Sequence, residues 1–217
     1  MRPLRKVLVA LAVAAAPLAP MAYAARIEVG LGIEHGIRDA NGFWYQQGNP
    51  YAMHLNNVTG YIGVTGRPWR YLGWHADYVY LGSYSVDSWD ETDAAYQAGC
   101  RGSGCPGGYY RFNGHGFMQG VRLTVGPTVQ MGHWHLSAQV GPFIYRATYT
   151  VTYQQTTWPA PITVSHSPRF QVGDVVGVSL RDRHLTAGID EYFMNVPQDR
   201  IPPLIHGAWT ATLGYRF

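Results

Sequence analysis

The chain has 217 residues, with 16 Lys and Arg against 13 Asp and Glu, and a formal net charge of +3. Three of these cations lie within the first six residues, ahead of an apolar stretch over residues 7–20 and a small-x-small triplet that ends at Ala24. This order is typical of a cleaved secretory signal peptide, which is too short to cross a bilayer as a helix. We therefore expect a signal peptide over residues 1–24 and a mature domain over residues 25–217.

Without the first 24 residues, thirteen Arg balance thirteen Asp and Glu, and no Lys remains. A neutral chain lacks the basic surface that nucleic acid requires, so a nucleic-acid-binding protein is excluded. No later stretch approaches the roughly 18 to 20 consecutive apolar residues of a membrane helix, which excludes a helical membrane protein. The length fits a single domain.

The two cysteines, Cys100 and Cys105, are separated by Arg-Gly-Ser-Gly. An exported chain meets an oxidising compartment, and a Gly-rich spacer lets the two sulfurs approach each other. A zinc site would favour a shorter spacing and a second pair of ligands nearby, and no such pair is present in the sequence. The sequence therefore predicts a disulfide that pins a small loop.

After residue 25, apolar side chains alternate with polar or small ones, as in a strand with one apolar face. In the first such segment, Ile27 and Leu31 fall on one face and Glu28 and Glu34 on the other. Seven further segments with this pattern begin near residues 57, 72, 117, 136, 171, 185 and 208. Asp174 is out of phase in the sixth segment, which predicts a bulge or an irregular register there.

Short and long links alternate between the eight predicted strands. The short links cover residues 66–70, 131–133 and 181–183, whereas the long ones cover residues 39–53, 82–113, 152–168 and 196–204. Short turns on one rim and long loops on the other are typical of outer-membrane barrels, in which the short turns are periplasmic. The sequence thus predicts an all-β fold, a monomeric eight-stranded antiparallel up-and-down transmembrane barrel.

Periodicity alone leaves open which face points inward, because a soluble barrel of the lipocalin type keeps its apolar face inside. The signal peptide favours the membrane alternative, and eight strands leave a lumen that side chains just fill. Aromatic residues near the strand ends suit two interfacial girdles. These are Trp69, Trp74, Tyr78, Tyr80, Trp134, Tyr192, Trp209, Tyr215 and Phe217.

The last segment ends in Phe217, with Trp209, Leu213 and Tyr215 on the same face. It resembles the terminal signal by which the barrel-insertion machinery recognises outer-membrane proteins. Taken whole, residues 26–217 resemble the small eight-stranded outer-membrane barrels of the OmpA-transmembrane, OmpX and OmpW type. The resemblance implies a place in the outer membrane of a Gram-negative bacterium, among lipid and lipopolysaccharide.

Charged residues occur on the polar faces, where lipid contact is avoided. Glu34, Asp77, Arg122 and Asp190 lie roughly six to nine residues from a short turn, a spacing that places them near mid-height in the lumen. An Arg held by carboxylates there would form a charge-assisted network. We expect this network to close the lumen, since buried charges persist only when paired; a gate or proton path is the alternative.

Some outer-membrane barrels modify lipid A, and the architecture resembles these enzymes also. A lipid A deacylase of this size carries a His and a Ser two residues apart on a late strand, but Gly188 to Asn195 contains neither. Nucleophilic catalysis needs a hydroxyl beside a base. The nearest such neighbours, Ser165, His166 and Ser167, alternate in direction on an extended chain, and we predict no catalytic residues.

Three histidines, His133, His135 and His184, fall near the short-turn rim. Such a cluster can bind a divalent ion, but amphipathic interfacial side chains are the more usual reading. We predict no metal and no cofactor.

The long links are rich in aromatic residues, which on a rigid scaffold are the usual material of a binding surface. Packing of the loops against one another is the alternative. Arg101, Arg111 and Arg146 lie near the long-loop rim, where guanidinium groups suit lipopolysaccharide phosphates. The expected function is non-enzymatic: surface interaction with an extracellular ligand, or envelope structure. The alternatives are an OmpW-like channel for small or hydrophobic molecules and an enzyme acting on lipid A.

Overall fold

The computed structural model describes residues 25–38, 51–91, 109–155, 159–166, 170–194 and 205–217. All regular structure in these residues is β-strand, and none of them forms a helix long and apolar enough to cross a membrane. The strands are β1 (Arg26–Arg38), β2 (Tyr51–His54), β3 (Asn56–Trp69), β4 (Leu72–Glu91), β5 (Tyr109–Met131), β6 (Trp134–Gln155), β7 (Ile162–His166), β8 (Gln171–Arg181), β9 (Leu185–Phe193) and β10 (Ile205–Arg216).

Eight of these strands close into an antiparallel barrel in the order β1-β3-β4-β5-β6-β8-β9-β10, with β10 pairing back onto β1. The predicted fold class, an eight-stranded closed antiparallel barrel, is confirmed. Its short turns lie at residues 70–71, 132–133 and 182–184, at the same end as Arg26 and Phe217. We call this the short-turn end and the opposite one the loop end.

The barrel carries its apolar residues outward. Leu31, Ile33, Val58 and Leu213 are 68–73% exposed, whereas the inward Asp77 is 1% exposed. Burying large aliphatic side chains is strongly favourable in water, so an exposed ring of them on a closed barrel suits an apolar solvent. Towards the loop end this belt gives way to polar side chains, and His35 Nδ1 lies 2.7 Å from Asn56 Oδ1.

Three strands run past the barrel at the loop end. β4 and β5 stay paired from Ser83–Phe117 to Glu91–Tyr109, eight residue steps or about 27 Å at strand spacing. β6 follows β5, while β2 adds to β4 and β7 adds to β6. The result is a protruding sheet of five strands in the order β2-β4-β5-β6-β7. Much of the sequence in the predicted loops 82–113 and 152–168 is therefore strand, because the β4–β5–β6 hydrogen-bond ladder continues beyond the barrel wall.

A bulge lies at Leu81, where the β4–β5 register shifts between Tyr80 and Gly82. Gly82 has a φ of 128°, a conformation that only glycine adopts without strain. The extra residue turns Leu81 fully into the lumen. The bulge predicted at Asp174 is wrong: β8 pairs with β6 and β9 in continuous register through this residue, and Asp174 lies on the outward face in phase with Val172 and Val176.

Candidate functional site: the filled lumen and the protruding sheet

Arg122 crosses the lumen near mid-height and joins carboxylates from two sides of the barrel. Its Nε and one terminal nitrogen lie 2.9 and 2.8 Å from Asp77 Oδ2, and its other terminal nitrogen lies 2.5 Å from Asp190 Oδ2. The same nitrogen is 3.3 Å from the hydroxyl of Tyr192, and the guanidinium lies 5.3 Å from the centre of the Tyr61 ring. All three charged side chains are almost fully buried, so the network is an ion pair shielded from water.

The local sequence makes room for this network with glycine. Asp77 is directly opposite Gly63 on β3, and Asp190 is directly opposite Gly177 on β8. A Cβ at Gly63 would lie 2.2 Å from Asp77 Oδ1, and one at Gly177 would lie 1.9 Å from Asp190 Oδ1. Only a residue without a side chain leaves each carboxylate free to turn towards Arg122.

Glu34 lies apart from Arg122, although the sequence placed it in the same network. Its Oε2 accepts a hydrogen bond from Asn57 Nδ2 at 2.9 Å, and its Oε1 accepts one from the Tyr84 hydroxyl at 2.8 Å. It therefore forms a second polar cluster near the loop end, held by neutral donors. The structure brings together the other three residues of the predicted set.

On the short-turn side of Arg122 the lumen is polar and includes groups that the sequence analysis did not single out. Arg181 donates to Thr65 Oγ1 at 3.2 Å and lies against the ring of His75, and Tyr61 donates to Glu28 Oε1 at 2.6 Å. A ladder of neutral bonds follows, running from Thr124 to Gln139 to Ser179. All of these residues except Arg181 could be predicted, since each occupies an inward position of the predicted alternation; Arg181 was expected in a short link and is instead the last residue of β8.

On the loop side of Arg122, apart from the Glu34 cluster, the lumen is mainly apolar. Phe143 stacks on Tyr145 at 5.4 Å and meets the edge of Tyr192 at 4.9 Å. Other members of this apolar cap, each less than 3% exposed, are Val79, Leu81, Met118, Val175, Ile205 and Ala208. Tyr192 was expected in the outer girdle, and this is wrong: it lies two residues after the inward Asp190, so it shares that inward face and is 1% exposed.

Other residues of the predicted girdle are exposed. Trp69, Tyr215 and Phe217 are exposed near the short-turn end, together with Tyr71, which was not in the predicted set, and Tyr78 and Trp209 are exposed further along the barrel wall. The C-terminal strand β10 presents Trp209, Leu213 and Tyr215 outward, as its alternation predicts, and Phe217 directly after it is exposed as well. Amphipathic aromatic side chains favour the boundary between apolar and polar surroundings.

Several predicted sites lie at the loop end. Cys100, Cys105 and Arg101 are outside the described residues, and Arg111 lies on β5 opposite Gln154 of β6. Arg146 packs 5.9 Å from the centre of the Phe170 ring, and its Nε has no hydrogen-bond partner. That nitrogen is buried, so only the terminal nitrogens of the guanidinium are available for the predicted contact with an anionic headgroup.

Two further candidates were the Ser165–Ser167 segment as a catalytic site and the three short-turn histidines as a metal site. Ser165, on β7, lies 3.1 Å from the hydroxyl of Thr150 on β6, and Ser167 is outside the described residues. The three short-turn histidines have separate contacts: His133 with Trp134, His135 with Arg67, and His184 with the Arg216 carbonyl and the Tyr215 ring. Within the described part of the chain, no three His, Cys, Asp or Glu side chains gather as a metal site would require.

Comparison with solved structures finds proteins that are similar at low sequence identity. Ail, the attachment invasion locus protein of Yersinia pestis, is similar in structure with a TM-score of 0.44 and 11% identity, covering 89% of this chain and 97% of Ail. Ail in complex with the heparin analogue sucrose octasulfate matches with a TM-score of 0.42, 13% identity and the same coverage. Neisserial surface protein A (NspA) matches at 0.40 and 10% identity, again over 89% and 97%. No family model and no curated protein sequence matches the chain.

Proposed function

We propose that the chain is an integral outer-membrane protein, with its short-turn end in the periplasm and its protruding sheet outside the cell. The observation that carries this is the ring of exposed aliphatic side chains around a lumen that buries seven carboxylate and guanidinium groups. In water that arrangement would expose the apolar face and bury the charged face, whereas a soluble barrel buries its apolar face and exposes its polar one. In a bilayer, closure also leaves no unpaired strand edge in the wall.

The proposed role is surface interaction through the protruding sheet, without catalysis. Its outermost described strands are β2 and β7, whose far edges pair with no other described strand. Such an edge presents a row of backbone donors and acceptors to an extended partner segment. On β7, Ile162 is 51% exposed and adds an apolar contact beside that edge.

A truncation tests this role. Ser85 and His115 are paired directly, so replacing residues 86–114 with Asn-Gly would close a two-residue hairpin at the barrel rim. The control replaces residues 92–108 alone and keeps β4 and β5. Expressing cells are scored for adhesion to epithelial monolayers and for aggregation, and folding is checked by heat-modified migration in gels.

Loss of adhesion in the truncated protein but not in the control supports a surface role for the sheet. If truncated and intact proteins adhere equally while both fold, the part of the sheet built on β4 and β5 is refuted as the adhesive surface. Because this truncation keeps β7, a second variant also replaces residues 150–165 with Asn-Gly between the paired Tyr149 and His166, and equal adhesion in that variant refutes the surface role. The envelope-structural alternative then predicts that cells lacking the whole protein become sensitive to detergent and that the truncated form restores resistance.

Two other functions are less well supported. An OmpW-like passage needs an open lumen, whereas Arg122, Phe143 and Tyr145 occupy its middle; conductance in planar bilayers above the background of an empty bilayer would favour it. A lipid A enzyme would change the acylation of lipid A, which mass spectrometry of cells with and without the protein detects. Acyl transfer would need a hydroxyl activated by a base, and the hydroxyl of Ser165 lies against that of Thr150 instead.

Further features of the proposal concern residues 1–24 and the long loops. We propose cleavage after Ala24, which N-terminal sequencing of the mature protein tests. We also propose the Cys100–Cys105 disulfide, which predicts that neither thiol is alkylated without prior reduction. Contacts with lipopolysaccharide are proposed for Arg101, Arg111 and Arg146, recognition by the insertion machinery for the terminal strand, and a monomeric state for the barrel.

A further inference from the structure

A polar cavity of about 340 Å³ opens at the short-turn end of the lumen. Its cationic walls come from the ends of different strands. Arg26 begins β1, Arg67 lies near the end of β3, Arg216 ends β10, and Arg183 lies in the β8–β9 turn. Alternation turns the three strand residues inward, so their guanidinium groups face the mouth of the lumen, and Arg183 lines the cavity beside them.

The side chains that line the cavity carry more positive than negative charge. Asp182 is the single carboxylate among the residues that line the cavity, which leaves a formal excess of three positive charges. Arg216 donates to the carbonyls of Asp182 at 2.7 Å and Arg183 at 3.0 Å, and Arg26 donates to the latter carbonyl at 3.4 Å. Carbonyl acceptors orient a guanidinium without cancelling its charge.

Arg67 is paired with a ring instead of a carboxylate. One of its terminal nitrogens lies 2.9 Å from His135 Nδ1 and 3.1 Å from Nε2. His133 lines the same wall. Glu28, a buried carboxylate on β1, accepts a hydrogen bond from Tyr61 and acts electrostatically on Arg216, but it does not line the cavity. Across the part of the chain that the structure describes, none of the four cavity arginines forms an ion pair with a carboxylate.

We propose that this cavity is a binding site for a phosphate group. A phosphate carries up to two negative charges at neutral pH and matches the excess better than one carboxylate does. Its tetrahedral oxygens also accept hydrogen bonds from several directions, as donors around a ring require, and each guanidinium offers a planar fork to them. The group could belong to a soluble periplasmic phosphate or to a phospholipid headgroup of the inner leaflet that reaches over the rim.

The test titrates inorganic phosphate into the protein in neutral maltoside micelles and follows binding by calorimetry. The Arg67→Gln, Arg183→Gln double variant removes two cavity cations. The matched control is Arg70→Gln, which removes a cation of the same rim that packs 5.3 Å from the Tyr71 ring and does not line the cavity. Heat-modified gel migration confirms that each variant is folded.

We expect saturable one-to-one binding, an affinity at least about tenfold lower in the double variant because two charge-assisted contacts are lost, and no change in the Arg70→Gln control. Sulfate should compete, whereas chloride at the same ionic strength should not. Absence of saturable binding overturns the proposal, as does an equal loss in the control, which would mean diffuse attraction to the rim.

A second titration in nanodiscs identifies the source of the phosphate. Weaker phosphate binding in phosphatidylglycerol discs than in phosphatidylcholine discs supports occupation by an anionic headgroup, and equal binding supports a soluble ligand. The periplasmic setting rests on the proposed orientation of the barrel, whereas the micelle titration does not. Failure of the titration therefore leaves the surface role standing, and failure of the surface role leaves the titration valid.

Discussion

Replacing Arg122 with Met is the sharpest test of how the lumen is stabilised. Met retains much of the length of the side chain but removes the positive charge that Asp77 and Asp190 share at 2.5–2.9 Å. Both carboxylates are at most 4% exposed, so neither can recover a full water shell without opening the barrel. Breaking a buried ion pair by removal of one partner costs about 3–5 kcal/mol, and we expect the free energy of unfolding to fall by that amount.

The measurement is equilibrium unfolding in guanidinium chloride from lipid bilayers, followed by tryptophan fluorescence. A triple variant with Arg122→Met, Asp77→Asn and Asp190→Asn provides the control, since it removes all three charges together. Replacing a complete buried charge cluster with neutral groups is often close to neutral, and we expect the triple variant to recover most of the loss. If Arg122→Met alone costs less than about 1 kcal/mol, the reasoning from a shielded network is refuted.

The remaining predictions concern the packing of a lumen glycine, the contact of the outer wall with lipid, and ion conduction through the lumen. Gly177→Ala should destabilise the barrel by about 2 kcal/mol or more in the same unfolding assay, because its Cβ would meet Asp190 Oδ1 at 1.9 Å. Gly188→Ala is the control, since its Cβ would lie 3.3 Å from the nearest atom. Similar losses of stability in the two variants would contradict the steric argument. Leu31→Arg, at a site 68% exposed to the surroundings of the barrel, should cost about 2–4 kcal/mol in a bilayer; a negligible cost would argue against lipid contact there. Arg122→Met should leave planar bilayers non-conducting, because the apolar cap still fills the lumen above it; raised conductance with unchanged stability would support a gate.

The barrel itself could be predicted from the sequence because its governing signal is local. Period two fixes which side chains share a face, and together with the signal peptide and the strand number it placed Asp77, Arg122 and Asp190 inward. Which inward residues meet across the lumen depends on strand tilt and shear. Those quantities have no local signature, and this is why Glu34 was grouped with Arg122 although it bonds to Asn57 and Tyr84.

The apolar cap could not be predicted from a rule that keeps polar residues inside. Near the loop end both faces of several strands are apolar, as at Val79, Phe143 and Val175, so alternation of hydropathy disappears. The protruding sheet escaped prediction for a related reason, because its strands carry Ser, Tyr and Asp that also suit loops. Pairing with neighbouring strands decides between the two outcomes, and pairing is a property of the assembled sheet.

The two glycine–aspartate pairs have a consequence for assembly. A hairpin whose register slipped by two residues would still turn its apolar side chains outward and its polar side chains inward, so the hydropathy pattern does not exclude that wrong register. It would, however, seat the Asp77 carboxylate against Tyr61 or Thr65 in place of Gly63. Each glycine–aspartate pair thus fits only one register, so packing inside the lumen selects the correct strand alignment as the barrel closes.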